Sequence, residues 1–284
     1  MNYLKSLTLL FFATSIVAFN WNCKTLSNAG SAVGNALLPD VSADATLGKQ
    51  TSDEIAKDPK TYPLLPERGN EEVYSYIRGI KNKLLATGRV EHAADFPWEV
   101  KIINDPKTLN AFCTPGGYIY VYTGIIKYLD SEDQLAGVMG HEMGHAAKRH
   151  SMKQMYEQNG IMLAEYIAAY VLVGKKDSSV QNTANTIGQI TSGLIGLKFS
   201  RAHETEADEM SVNYLCGTEY NAAGAAGFFK KITSSGAASQ PEFLSTHPSP
   251  PNRVESITAN AKASGCTGSA TNTAQYQRIK RLLN

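Results

Sequence analysis

The stretch GVMGHEMGHAAKRH, Gly137 to His150, places three histidines and one glutamate within a few helical turns. His141 and His145 are four residues apart, so on a helix both imidazoles leave the same face about one turn apart and can bind one metal ion. Glu142 is displaced about 100° around the helix, where its carboxylate can reach a water on the metal without being a ligand. The chemistry that follows is metal-assisted hydrolysis. Two histidines leave such a site incomplete, because a catalytic zinc usually has three protein ligands and one open position. A longer pattern, with glycine at 148 and histidine at 151, is excluded by Lys148 and Ser151. His150 lies five residues beyond His145, about 140° away on a continuous helix, and is expected to face solvent.

A third ligand must therefore come from elsewhere. SRAHETEAD, Ser200 to Asp208, offers Glu204 and, one turn on, Asp208 on the same face. Glu204 can ligate while Asp208 fixes the tautomer of a ligand histidine. Taken alone, the segment reads equally as a charged, solvated helix face. His203 is turned about 100° away from Glu204 and reads as structural, and His92 reads as surface. In THPSPPNR, His247 and Arg253 are candidates to stabilise an oxyanion, and a histidine there can also plug the open metal position. The plainer reading is a loop leading into a helix at Ser249 and Pro250.

Elements must hold these groups in place. EEVYSYIRGIKNKLLA, in the span from Ser52 to about Leu85, spaces Val73, Tyr76, Ile77, Ile80 and Leu84 as one helical face. WEVKIIND and GYIYVYTGII read as strands of a small sheet. Gly116 and Gly117 permit close backbone approach, and an exposed edge over Tyr118 and Ile119 would pair with an extended substrate. Tyr118, Tyr120 and Tyr122 alternate onto one face, where cross-strand packing accounts for them. From Ser131 a helix runs to about residue 155, and Gly137, Gly140 and Gly144 within it mark close approach of other backbone. The apolar run from 160 to 174 is too short to span a bilayer and reads as a core helix or a membrane-touching segment. Another helical run extends from Ile187 to Leu215, and a short helix, a polar connector and a basic helix close the chain.

With 43% apolar and 19% charged residues, the composition is that of an ordinary globular chain. Its 27 basic and 26 acidic residues leave a net charge of +1, which argues against nucleic acid as a partner. Lys5 and the apolar run Leu7 to Phe19 form an export signal over residues 1–22. Cys23 follows directly, where a lipid-bearing mature N-terminus is expected, with cleavage near Ala18 as the alternative. Residues 23–50 would then be a flexible tether. In an oxidising compartment Cys216 and Cys266 are expected to pair, leaving Cys113 as a buried thiol.

Four blocks in order, NAFCTPGGYIYVYTGII (Asn110 to Ile126), HEMGH (His141 to His145), SRAHETEAD and THPSPPNR, resemble the gluzincin metallopeptidases of the CAAX prenyl protease, HtpX, BepA and Oma type. The resemblance implies a mainly helical α+β zincin-like fold with a small β-sheet edging the cleft, in a domain spanning residues 51–265 with a connector and basic helix at 266–284. It implies one Zn²⁺ on His141, His145 and Glu204, Glu142 activating the water, and Asp208 holding a ligand histidine. His247 and Arg253 would then act on the oxyanion. The implied activity is endoproteolysis of unfolded or misassembled envelope proteins in a bacterial periplasm, and a lipid on Cys23, expected from its position after the apolar run, would anchor the chain to the outer membrane. The rival is a chaperone-like assembly factor with a gated or weakly active zinc site. The oligomeric state stays open.

Overall fold

The computed structural model describes residues 38–159, 191–234, 242–249 and 252–283. The expected signal peptide, Cys23, and the apolar run 160–174 lie outside the described residues.

Helix α1, Val41–Lys57, starts inside the stretch expected to be a tether. Ala43, Leu47, Thr51 and Ile55 recur every four residues and are all buried, a stripe that small polar neighbours conceal in the sequence. Asp40 caps it, its carboxylate accepting the Ser42 N–H at 2.9 Å. Residues 58–70, with Pro63 and Pro66, separate α1 from α2, Glu71–Leu85, which is the helix expected over EEVYSYIRGIKNKLLA. It buries Val73, Ile77, Ile80 and Leu84.

Three short strands follow: β1 (Val100–Ile103), β2 (Ala111–Thr114) and β3 (Tyr118–Tyr122). The sheet order is β1-β3-β2, with β3 parallel to β1 and antiparallel to β2. Tyr118, Tyr120 and Tyr122 pack on one face with Phe112, Ile103 and Ile55, and the Phe112 and Tyr120 rings stack at 4.7 Å.

After α3 (Thr123–Tyr128), helix α4 (Glu132–Ala147) is buried on nearly every side and forms the axis of the core. A Cβ at Gly137 would fall 2.2 Å from the backbone nitrogen of Ala225, and one at Gly144 would fall 3.3 Å from Cα of Ala207. The glycines therefore admit the neighbours α7 (Gly224–Ser234) and α6 (Arg201–Cys216) against α4. The helix does not run on to residue 155. Arg149 adopts φ +56°, and α5 (His150–Asn159) begins in a new direction. Residues 191–195 form a helical turn, and residues 197–200 separate it from α6, so the helical run expected from Ile187 is broken.

Three more helices complete the described residues: α8 (Glu242–Thr246), α9 (Arg253–Ala263) and α10 (Thr273–Leu282). Cys216 at the end of α6 is bonded to Cys266, with Cα atoms 4.9 Å apart, and Cys113 is a free buried thiol. Tyr276 and Ile279 of α10, the basic helix expected at the end of the chain, join the same core as α2 and α4. Among the described residues no helix is long and apolar enough to cross a membrane.

Glu132, at the start of α4, ties several of these pieces together. Its buried carboxylate accepts hydrogen bonds from the Tyr76 and Tyr220 hydroxyls, and from Lys83 Nζ and Asn272 Nδ2, each at 3.1 Å. Burial works against its charge, but Tyr220, Tyr76, Asn272 and Lys83 hold its pKa below the ordinary value. Glu132→Ala is expected to cost about 3 kcal/mol in urea unfolding at neutral pH, because buried donors are left unpaired. A depressed pKa contributes stability above the unfolded value, near about 4.3, and loses it as pH falls through the folded value. The gap between variant and wild type should therefore narrow in acid, and a constant gap would contradict the network.

Candidate metal centre

His141 and His145 leave α4 on the face toward α6, and each Nε2 points into the space between the helices, 3.0 Å from the other. Glu204, in the first turn of α6, closes the third side. Its Oε2 lies 3.4 Å from His141 Nε2 and its Oε1 lies 3.3 Å from His145 Nε2. The helix starts there because Ser200 caps it, accepting the His203 N–H at 3.2 Å. His247, just after α8, adds Nδ1 at 3.0 Å from Glu204 Oε1 and 3.4 Å from His141 Nε2. One ligand atom from each of these four residues falls within 4.8 Å of every other.

Donors held about 2.0–2.1 Å from a common zinc at tetrahedral angles lie about 3.3 Å apart. The spacings of 3.0 to 3.4 Å fit that arrangement. Two imidazoles and one carboxylate are also a catalytic zinc donor set. Glu204 Oε2, buried among charged neighbours and making no hydrogen bond of its own, is free to turn its lone pair to a cation.

Glu142 sits beside the cluster rather than in it. Its Oε1 makes no hydrogen bond, and its nearest charged neighbour is His247 Nε2 at 3.6 Å. Burial pushes its pKa up to about 7, opposed by His247 and by the backbone N–H of Cys113 on β2. Glu204 is the opposite case: burial disfavours its charge, but His247 and His141 hold its pKa far below the carboxylate range. Burial also opposes protonation of His141, yet Glu204 and Asp208 outweigh it and raise its pKa. Burial holds His145 in the neutral form that a ligand requires.

Asp208, one turn beyond Glu204, places Oδ1 2.9 Å from His141 Nδ1. Arg253, the first residue of α9, clamps it from behind, donating from Nε and Nη2 at 2.7 and 2.8 Å. Arg253 Nη2 also reaches Glu204 Oε2 at 3.1 Å, its guanidinium lies over the Phe229 ring, and its Nη1 has no partner.

Two expectations require correction. Gly116, Gly117, Tyr118 and Ile119 do not offer a free edge, because β3 is the central strand and pairs on both sides. Gly116 and Gly117 have φ +75° and +78°, and added Cβ atoms would collide with Ala45 of α1 and the Trp98 ring. The glycines serve internal packing, and the edge strand beside α4 is β2. His150 is not solvated either. The turn at Arg149 swings it inward, where it is fully buried with Nδ1 3.0 Å from His145 Nδ1. Its Nε2 lies 3.0 Å from Glu206 Oε2, and the His203 ring stacks on it at 4.3 Å. Glu206 was not singled out in the sequence. Two residues from Glu204, it points about 200° away round α6, so helical spacing gives no signal that links it to the metal face.

Residues 75–261 match peptidase family M48. The chain is similar to the mitochondrial metalloendopeptidase OMA1 of Arabidopsis thaliana, 31% identical over 164 residues that cover 58% of this chain and 32% of that protein. It is 24% identical to the beta-barrel assembly-enhancing protease of Yersinia pestis over 236 residues, 77% of this chain and 46% of the other. With the metalloprotease YcaL of Escherichia coli (strain K12) it shares 29% identity over 156 residues, 52% of this chain and 57% of the other. The alignments thus span from about a third to somewhat over half of these relatives' own lengths.

Proposed function

The chain belongs to peptidase family M48, and we propose that it is a zinc metalloendopeptidase that cleaves unfolded or misassembled envelope proteins. The observation that carries this reading is the convergence of His141, His145 and Glu204 on one point, with the unliganded carboxylate of Glu142 beside it. Bound there, zinc supplies Lewis acidity toward water and a peptide carbonyl. Glu142 takes the proton of the attacking water and hands it to the leaving amine. Asp208 accepts from His141 Nδ1–H and so turns the Nε2 lone pair of His141 into the site. Arg253 has Nη1 left over from its ion pairs as a donor for the developing oxyanion. An extended peptide aligned along β2 would pass Glu142, since the Cys113 N–H reaches that carboxylate from this strand.

Export is part of the proposal and is supported by the Cys216–Cys266 bond, which an oxidising compartment such as a periplasm preserves. Attachment of lipid to Cys23, anchoring the chain to an outer membrane, completes it. Envelope proteins as substrates are suggested by the Yersinia pestis relative, a beta-barrel assembly-enhancing protease.

A gated version of the same site is favoured by one observation: the four convergent side chains and Glu142 are at most 2% exposed. The test uses purified protein, elemental analysis and reduced casein. One zinc per chain is expected, with cleavage that a chelator abolishes and added zinc restores. Casein that binds to the zinc-loaded protein and is never cut would replace the protease with a chaperone-like factor.

A further inference from the structure

His150 and Glu206 have no part in the mechanism above, yet they form an unbroken chain of contacts from a metal ligand to the surface. His145 Nδ1 lies 3.0 Å from His150 Nδ1, His150 Nε2 lies 3.0 Å from Glu206 Oε2, and the Glu206 side chain is 39% exposed. We propose that His150 and Glu206 are positioning residues of the metal centre, a relay that fixes the tautomer and ring orientation of His145 so that its Nε2 presents a lone pair to the metal. The inference rests on the zinc reading of the site.

The proton assignments follow from what each group can do. A carboxylate only accepts, so the hydrogen between Glu206 and His150 belongs to His150 Nε2. The Nδ1 of a neutral His150 then carries a lone pair and can only accept. The hydrogen between the two Nδ1 atoms therefore belongs to His145, which leaves His145 Nε2 unprotonated and facing His141 and Glu204. His141 reaches the same state through Asp208. The ligand Glu204 and the two outer carboxylates thus occupy alternate positions, 204, 206 and 208, of one helix. Glu204 and Asp208 serve one flank of α6, while Glu206 reaches round to α5.

Ring orientation is held as well as proton position. Phe199 stacks on His145 at 4.0 Å, and His203 stacks on His150 at 4.3 Å, so neither imidazole can rotate without displacing a ring. The turn that aims His150 inward is fixed from a distance. Arg149, at φ +56°, is in a region that a non-glycine residue enters at a cost. Its guanidinium donates to the Asp44 carboxylate at 2.7 and 3.1 Å and to the Pro39 carbonyl at 2.6 Å, so the residues at the start of α1 offset that cost.

The experiment measures zinc affinity by chelator competition at fixed pH, together with the absorption spectrum of the Co²⁺-substituted protein and melting of the metal-free forms. His150→Phe keeps a ring and removes both nitrogens, and zinc affinity is expected to fall 10- to 100-fold with an altered Co²⁺ spectrum. His150→Gln can accept from His145 through its oxygen and donate to Glu206 through its nitrogen, and it should stay within about threefold of wild type. Glu206→Gln still accepts and should behave like wild type, whereas Glu206→Leu should bind zinc more weakly. The relay is overturned if His150→Phe binds zinc as tightly as wild type, or if His150→Gln is as weak as His150→Phe. Should His150→Phe fail to fold, the partly exposed Glu206 pair decides, and equal affinities for Leu and Gln overturn the relay. A wild-type chain that takes up no zinc overturns the metal reading itself, and the relay with it.

Discussion

Glu142→Gln is expected to lower the turnover of casein by 10²- to 10⁴-fold, the range that a positioned general base contributes. Zinc content and melting temperature should not fall. Glu142 is outside the group of His141, His145, Glu204 and His247, so the metal loses no ligand. The amide is close to isosteric, and its oxygen can still accept from the Cys113 N–H. A buried carboxylate with an unpartnered oxygen is also replaced by a neutral group, so stability should hold or rise slightly. The variant separates chemistry from fold and from metal. Retained turnover would remove Glu142 from the mechanism, and lost zinc would mean that the carboxylate supports the centre in a way the geometry does not reveal.

How far the sequence discloses such a site depends on how local each relation is. His141, Glu142 and His145 are legible because helical geometry alone sets their relative directions, and α4 is a regular helix through all three. The fourfold spacing of Glu204 and Asp208 on α6 is legible for the same reason, although which helix α6 would face is not. His150 is misread because the same rule is carried one step too far. The helix stops at Ala147, and what stops it is a left-handed Arg149 held by Asp44, 105 residues earlier in the chain. No periodicity near Arg149 contains that information. The sheet is hidden for a similar reason: alternation identifies β3 as a strand but cannot show that β1 and β2 flank it, so its central position is not legible. The start of α1 is missed because its buried stripe includes Ala43 and Thr51, which carry little hydrophobic signal.

The sign of the response to His247→Ala decides what the last histidine does. Its backbone N–H donates to the Phe243 carbonyl at 2.9 Å, its ring stacks on Phe243 at 4.4 Å, and the neighbouring Thr246 carbonyl accepts the Phe199 N–H at 3.2 Å. Nδ1 lies against Glu204 and Nε2 faces Glu142, so an imidazole acting as a plug would stand where water and a peptide carbonyl have to bind. For a plug, productive binding would require His247 to move aside, and the apparent affinity would be reduced by the fraction of molecules that are open. If that fraction is about 1–10%, removing the ring should raise initial rates at low substrate about 10- to 100-fold. His141, His145 and Glu204 remain, so zinc should be retained. A histidine that instead stabilises the oxyanion predicts the reverse, a loss of about 10²- to 10³-fold. Initial rates of casein cleavage by zinc-replete wild type and His247→Ala distinguish the two, and a slower variant would refute the plug.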